Sequence, residues 1–220
     1  MNDYQIQVPS DHYYKNYDDL LRFISYYYQI DIVKSLNPSR ILEIGIGNKT
    51  VSNYLRQNGF NIDTCDFDKN LLPDYLADIR KLPFDDNSYD LILVSEVLEH
   101  IPWEDLEKAL QELHRISKKN LVISIPYSSA AFEIIIKVPL FDILLRKLYF
   151  SFLIRIPYFF KKIEFKGEHY WEMGRKNYSK RKLQIHLLKY FQIIKEISPI
   201  LNHYHYFYIM EKLNKIDNNI

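Results

Sequence analysis

The chain has 220 residues, 47% hydrophobic and 26% charged, which is typical of a single globular domain and excludes a disordered or collagen-like protein. A single cysteine, Cys65, excludes an internal disulfide and a cysteine-ligated zinc site, and it suits the reducing cytoplasm. Residues 1–130 carry 13 Lys+Arg against 20 Asp+Glu, whereas residues 131–220 carry 16 against 8. The basic second half indicates either an anionic substrate, membrane surface or nucleic acid as partner, or simply a solvated charged surface.

The first predicted element is a helix. Apolar and aromatic side chains recur at helical spacing over residues 14–36, and Pro38 follows the last of them. We expect this helix to cover one face of the domain.

Strands and helices alternate through the middle of the chain. Short apolar runs predict strands at 41–46, 60–66, 74–78, 91–95 and 121–125. Helical spacing predicts helices at 50–58 and 104–117 between them. Such alternation predicts an α/β fold with a doubly wound parallel sheet.

The end of the chain adds one helix and two strands. Ser179 is a candidate N-cap for a helix to residue 189, and strands are predicted at 191–197 and 204–213. The connection between these strands is too short for a crossover helix, so the last strand should run antiparallel.

A glycine pair ends the first predicted strand. Gly45 and Gly47 allow a tight turn and close backbone approach to a ligand, and Asp66 follows nineteen residues after the second glycine. An acid at the end of the next strand is placed to bind a ribose. The pattern therefore indicates a nucleoside pocket.

Four segments in this order resemble the class I S-adenosylmethionine-dependent methyltransferases: LEIGIG at 42–47, Asp66, ADI at 77–79 and DLILVSEVLEH at 90–100. The resemblance spans about residues 38–126. It implies a Rossmann-like sheet of seven strands in the order 3-2-1-4-5-7-6, with the last strand antiparallel and a helical insert after strand 5. It also implies one domain over residues 1–220, with S-adenosylmethionine as the cofactor.

The resemblance divides that domain into parts. The N-terminal helix covers 14–36, and the cofactor-binding core covers 38–126. An aromatic and basic insert with an acceptor-site loop follows at 127–178, and the last helix and strand hairpin occupy 179–213.

The chemistry of the cofactor suits the acids in these motifs. Asp66 can accept hydrogen bonds from both ribose hydroxyls, and Asp78 can accept one from the adenine amino group. Glu43 can accept a hydrogen bond from the ammonium of the amino-acid part. The complete set of cofactor-binding residues implied by the resemblance is Glu43, Ile44, Gly45, Ile46, Gly47, Asp66, Phe67, Asp78, Ile79, Ser95 and Glu96.

A third glycine is missing from the turn, because position 50 is Thr50. A dinucleotide pyrophosphate needs that glycine at the helix N-terminus, whereas S-adenosylmethionine has no phosphate. The departure therefore counts more against a dehydrogenase than against a methyltransferase. Lys49 and Thr50 do not complete a Walker loop either.

Candidate catalytic residues lie in two places. His100 follows the fourth strand at the edge where open sheets bind ligands, and the loop at 167–174 contains His169 and Glu172 as candidate bases. Tyr170 and Trp171 are the candidate acceptor-binding residues. For each of these residues a purely structural role is the alternative, and no metal site is expected.

The insert at 132–166 combines nine aromatic residues with seven Lys and Arg in helix-like spacing. It contains no run of 18 apolar residues, which argues against a membrane-spanning helix. Three interpretations remain open: a lid over the acceptor, an interfacial membrane anchor on the inner face of the membrane, and a homodimer surface. A nucleic-acid site is disfavoured because no RNA-binding appendage flanks the core.

The predicted function is methyl transfer from S-adenosylmethionine to an oxygen or nitrogen of a small acceptor, such as a saccharide or a lipid-linked intermediate. The alternative is a non-catalytic, cofactor-binding or membrane-associated regulator that retains the nucleoside pocket.

Overall fold

The structure is a computed structural model that describes residues 7–15, 17–138 and 149–214. The strands are β1 Ile41–Ile44, β2 Ile62–Asp66, β3 Tyr75–Leu76, β4 Tyr89–Ser95, β5 Ser117–Pro126, β6 Ser129–Ile136, β7 Phe150–Pro157, β8 Phe191–Ile197 and β9 His205–Lys212. The α-helices are α1 Leu20–Leu36, α2 Thr50–Gln57, α3 Leu106–Ile116 and α4 Lys180–Leu188.

Seven strands form one sheet in the order β3-β2-β1-β4-β5-β9-β8. Numbered within that sheet alone, the order is 3-2-1-4-5-7-6, as predicted. Strand β9 runs antiparallel to both β5 and β8, which confirms the expected direction of the last strand. Parallel pairing of β1 with β2 and β4 brings the carboxyl ends of these strands to one edge.

The centre of the sheet is buried on both faces. All four residues of β1 are buried, and the apolar residues of β4 are equally inaccessible. Helix α3 packs its apolar stripe, Leu106, Ala109, Leu110, Leu113 and Ile116, on one face of the sheet. Helices α1 and α2 cover the other face. These two layers hold the strand ends in fixed positions.

Helix α1 starts six residues later than predicted, at Leu20 rather than residue 14. The Asp19 side chain accepts a hydrogen bond from Arg22 N at 2.8 Å and so caps the helix. Residues Ser10–Tyr14 form a separate 3₁₀ turn. The aromatic spacing was misleading at the start of the span, because Tyr14 and Tyr17 belong to the segment before the helix.

The prediction of a helical insert is wrong for the described residues. Strands β6 and β7 pair antiparallel in a second, two-stranded sheet from Ser129↔Pro157 to Ile136↔Phe150. The β-branched run 134–136 and the alternation of residues 150–157 favour a strand, and they outweigh the helical spacing of the aromatics. Residues 139–148 of the insert lie outside the described part. No described helix is long and apolar enough to cross a membrane.

Candidate functional site

A cavity of about 390 Å³ opens at the carboxyl ends of β1, β2 and β4. Its volume is in the range of small-molecule sites. Nine of the eleven residues expected at the cofactor site line it: Ile44, Gly45, Gly47, Asp66, Phe67, Asp78, Ile79, Ser95 and Glu96. Ligand binding at this edge is a general property of open α/β sheets.

The turn after β1 needs glycine for two reasons. Gly45 has a φ of +80°, and a Cβ at this position would lie 2.1 Å from Val97 Cγ2. Gly47 has a φ of +48°. The backbone therefore approaches the cavity without side chains in the way, and α2 begins three residues later.

Asp66 is fixed by the main chain of that turn. Its Oδ2 accepts from Ile46 N at 3.0 Å, and its Oδ1 accepts from Asp68 N at 2.9 Å. Burial raises the pKa of Asp66, while these backbone donors act in the opposite direction. Each carboxylate oxygen retains a second lone pair that can accept from a ligand.

Two residues that line the cavity each have a buried side-chain oxygen with no hydrogen-bond partner among the described residues. These oxygens are Asp68 Oδ2 and Ser95 Oγ. Leaving a buried polar atom unpaired is costly, so both atoms favour a ligand that carries hydrogen-bond donors. A ribose diol and an ammonium group meet this requirement.

The other end of the cavity carries an ion pair. Asp78 accepts hydrogen bonds from the backbone N and the guanidinium of Arg80, and Arg80 also pairs with Asp105 at 2.8 Å. Burial raises the pKa of Asp78, but the Arg80 contacts outweigh burial and lower it. Phe67 and Ile79 provide apolar surface beside this acid.

Glu43 and Ile46 do not line the cavity. Ile46 contributes through its backbone N–H to Asp66. Glu43 lies buried behind the turn, where burial raises its pKa to about 7 and Ser52 hydrogen-bonds to it. One Glu43 carboxylate oxygen has no partner within the described part of the chain. Its binding role stays a prediction.

Glu96 adopts a strained backbone conformation at the end of β4, with a φ of +54°. Its Oε1 accepts from Ser124 Oγ at 2.8 Å, and its Oε2 lies 3.7 Å from His205 Nε2. A positive φ at a non-glycine residue is costly and is often found at functional sites.

His100 is held in one tautomer. Gln7 donates its amide to the His100 carbonyl at 3.0 Å, so the Gln7 carbonyl oxygen faces His100 Nδ1 at 2.9 Å. Glu168 O also lies 3.1 Å from Nδ1. Because both neighbours are acceptors, Nδ1 carries the proton and Nε2 keeps its lone pair. Burial, together with the nearby His169, lowers the pKa of His100 to about 4.

His169 is oriented by Glu172, whose Oε1 lies 3.0 Å from His169 Nδ1. Glu172 also accepts hydrogen bonds from Ser128, Tyr204 and Arg175. Burial raises the pKa of Glu172, but these donors outweigh burial and lower it to about 2. Glu172 lies behind His169 rather than on the cavity wall, which suits an orienting residue better than the base expected from the sequence.

Both histidines face the same buried acid. Glu99 Oε1 lies 4.0 Å from His100 Nε2 and 4.0 Å from His169 Nε2. Burial and the neighbouring Glu96 raise the pKa of Glu99 well above its usual range. These three residues offer ligand atoms within 4.8 Å of one another, so the group could accept a proton or hold a metal ion.

The expected positions of Tyr170 and Trp171 need correction, since neither ring lines the cavity. Trp171 is fully buried and donates to Ile101 O at 3.2 Å, and Tyr170 stacks on Phe165 at 4.1 Å. Trp171 is therefore part of the core, whereas Tyr170 is partly buried against it. The prediction of an acceptor-binding role has no support from these positions.

Several lining residues were missed by the sequence reasoning. They include Gln7, His12, Tyr13, Tyr17, Arg22, Asp68, Val97, Tyr204 and His205. The polar and aromatic segment before α1 was the available signal, but the predicted helix included only Tyr17 of it and no role was predicted for Gln7, His12 and Tyr13. Only the fold brings β9 to this edge, so Tyr204 and His205 had no local signal.

Residues 42–125 match the sequence family described as the methyltransferase domain. This part of the chain is similar to a methyltransferase domain. The matched region runs from β1 to β5 and includes the glycine turn, Asp66, Asp78 and the β4 motif. No curated protein sequence matches the chain.

Solved structures of methyltransferases share the fold of this chain over most of its length. A Burkholderia thailandensis 1,6-didemethyltoxoflavin N1-methyltransferase with bound S-adenosylhomocysteine superposes with a TM-score of 0.61 at 12% identity, over 93% of this chain and 85% of that chain. A Synechocystis PCC 6803 magnesium protoporphyrin IX methyltransferase with bound S-adenosylhomocysteine gives 0.59 at 14% identity, over 92% and 94%. The N-methyltransferase NodS from Bradyrhizobium japonicum WM9 gives 0.57 at 12%, over 89% of each chain.

Proposed function

We propose that the protein binds S-adenosylmethionine in this cavity and transfers the methyl group to an oxygen or nitrogen of a small acceptor. One observation carries the proposal. The glycine turn, Asp66 and two residues with an unpartnered buried oxygen, Asp68 and Ser95, line a single cavity, and all of them lie in the region that matches the methyltransferase domain. S-adenosylhomocysteine in the Burkholderia and Synechocystis structures supports the same cofactor here.

Different lining residues would bind different parts of the cofactor. Asp66 and Asp68 offer acceptors for the ribose, and Asp78 with the apolar Phe67 and Ile79 offers a site for adenine. Ser95, near the glycine turn, offers an acceptor for the amino-acid part. Glu96 is an acidic side chain on the cavity wall, and a negative charge at this end of the cavity suits a sulfonium.

The cofactor supplies a methyl carbon bonded to a positively charged sulfur, which keeps the C–S electron pair when an acceptor lone pair takes the methyl. The protein must align the two reactants and remove the proton of the acceptor. His169 lines the cavity, and its Nδ1 is engaged by Glu172, which leaves Nε2 as the acceptor atom. We propose that Nε2 takes the proton of the methyl acceptor. His100 is the second candidate. Glu172 positions His169.

The acceptor is a small molecule in this proposal, with a saccharide or a lipid-linked intermediate as the class to test first. Titration calorimetry with S-adenosylhomocysteine tests the cofactor site. Release of S-adenosylhomocysteine from S-adenosylmethionine over an acceptor panel tests the chemistry. Cofactor binding without transfer to any acceptor would instead support the regulator considered as the alternative.

We predict that Asp66→Ala weakens S-adenosylhomocysteine binding by about 1–3 kcal/mol, because buried hydrogen bonds to the ligand are lost. Calorimetry measures the change directly. Asp85→Ala removes an exposed acid in a distant turn and should bind as the wild type does. Wild-type affinity in Asp66→Ala would overturn the ribose assignment.

A further inference from the structure

The hairpin formed by β6 and β7 turns its charged face toward the protein body. Glu133 Oε2 accepts from Leu201 N at 2.9 Å. Arg155 donates to Ser198 Oγ at 2.6 Å, and its guanidinium lies 4.2 Å from the Tyr127 ring centroid. Polar contacts therefore anchor the inner face of the hairpin.

The outer face of the hairpin is apolar. Alternate residues of a strand point to opposite faces, and three cross-strand pairs share the outer face: Phe132↔Ile154, Ile134↔Phe152 and Ile136↔Phe150. All six side chains are exposed, and Phe132 and Phe152 each retain 61% of their accessible surface. A sheet in water usually buries its apolar face, so this hairpin has the opposite arrangement.

The segment after β7 extends the same chemistry. Phe159, Phe160 and Phe165 are 68%, 61% and 46% exposed. Exposed lysines Lys161 and Lys162 follow two of these rings directly. A contiguous exposed apolar patch with a charged rim indicates an interaction surface.

We propose that this outer face, which we call the hairpin face, docks on the surface of an anionic lipid bilayer. The hairpin and the segment that follows it, residues 129–138 and 149–166, contain five Lys and Arg and two Asp and Glu, a net charge of +3. One of the two acids, Glu133, faces inward. Apolar side chains can enter the headgroup region while the lysines pair with anionic headgroups.

Charge decides between a bilayer and a second copy of the chain. Two copies in contact through the hairpin face and the segment after β7 would bring Lys161 and Lys162 of each copy together, and like charges at an interface oppose association. Anionic lipid offers the complementary charge and an apolar layer together. The hairpin face therefore fits a lipid surface better than a copy of itself.

The hairpin face is also connected to the candidate active site. Tyr158 N donates to Ser128 O at 3.2 Å, and the Ser128 hydroxyl donates to Glu172, which orients His169. Docking would hold the cavity near the bilayer. A lipid-linked acceptor could then enter the cavity from the bilayer, and this step rests on the proposed function. The docking itself does not depend on the proposed function.

The test is flotation of the full chain with two vesicle types, phosphatidylcholine alone and an equimolar mixture of phosphatidylcholine and phosphatidylglycerol. We expect flotation with the mixed vesicles, little with phosphatidylcholine, and release at high salt. Ile154→Thr removes an exposed isoleucine from the hairpin face but retains a β-branched side chain. Its affinity for mixed vesicles should fall roughly tenfold, because less apolar surface is buried.

Ile194→Thr is the matched control, since Ile194 is an exposed strand isoleucine outside the hairpin. This variant should float as the wild type does. Equal losses in both variants, or no wild-type flotation, would overturn the proposal. A dimer in sedimentation equilibrium that Ile154→Thr dissociates, without vesicle binding, would also overturn it in favour of self-association. Calorimetry with S-adenosylhomocysteine on the same proteins separates failure of docking from failure of the proposed function.

Discussion

The candidate site brings two histidine Nε2 atoms and one buried acid, Glu99, close together. The Nδ1 atoms of His100 and His169 are engaged by Glu168 O and Glu172, so both Nε2 lone pairs face Glu99. Neither Glu99 oxygen has a hydrogen-bond partner among the described residues. The hydrogen-bonding capacity of Glu99 is therefore not used within the described protein. It favours an arriving donor, and the acceptor's O–H or N–H is the donor that methyl transfer requires.

We predict that His169→Ala lowers turnover by about 10²–10⁴-fold, the usual contribution of a positioned general base. Cofactor affinity should not change, because His169 is assigned to the acceptor and not to the nucleoside. Steady-state kinetics and calorimetry on one preparation separate the two quantities.

His203→Ala is a suitable control for that prediction, since His203 does not line the cavity. Unchanged turnover in His169→Ala would move the base to another residue. Inhibition of the wild type by a chelator would indicate that Glu99, His100 and His169 hold a metal ion, and not a proton.

At the scale of elements, the β1–α2 turn combines a left-handed backbone with a close contact. We predict that Gly45→Ala lowers the free energy of unfolding by about 2–5 kcal/mol, because a left-handed alanine costs energy and its Cβ would overlap Val97 Cγ2. Urea unfolding of the cofactor-free protein measures this loss.

Gly59 provides the matched comparison for Gly45. Its φ is +84°, but a Cβ added at Gly59 would meet no atom within 4 Å. Gly59→Ala should therefore cost only the backbone term of about 1–2 kcal/mol. Equal losses at both positions would show that the contact with Val97 relaxes freely.

At the scale of the whole molecule, Glu43 should make stability depend on pH. Burial raises its pKa from 4.5 to about 7 in the folded protein. Below about pH 4.5 Glu43 is protonated in both states, and above about pH 7 the folded state carries a buried charge. Folding stability should thus fall as pH rises between these values, by roughly 3 kcal/mol in total.

Urea unfolding near pH 5 and near pH 7, without cofactor, measures this dependence. Glu43→Gln should flatten the dependence of the free energy of unfolding on pH between pH 4.5 and pH 7, whereas Glu104→Gln, at an exposed glutamate, should leave it unchanged. A wild-type profile in Glu43→Gln would show that Glu43 does not titrate in this window.

The contribution of Glu172 to the pH dependence of stability has the opposite sign. Its pKa is lowered to about 2, so its stabilisation is lost only as pH falls below 4.5 toward 2.

The sequence alone determined the sheet and the cofactor edge. Buried parallel strands are continuous apolar runs, and a left-handed turn restricts position 45 to glycine, so β1, β4 and the Gly45 turn leave local signals. Strand alternation then fixed which strand ends meet at one edge. These features depend on neighbours in sequence or on one repeating pattern.

Only the tertiary structure decided the rest of the site and the form of the insert. Trp171 was expected at the acceptor and lies in the core, whereas Tyr204 arrives at the cavity from the last part of the chain. The sequence of the insert contains both helical and strand spacing of its apolar residues. Pairing of β6 with β7 determines that the described part forms strands. Which face of such an element is exposed depends on contacts between residues far apart in sequence, and no local pattern records those contacts.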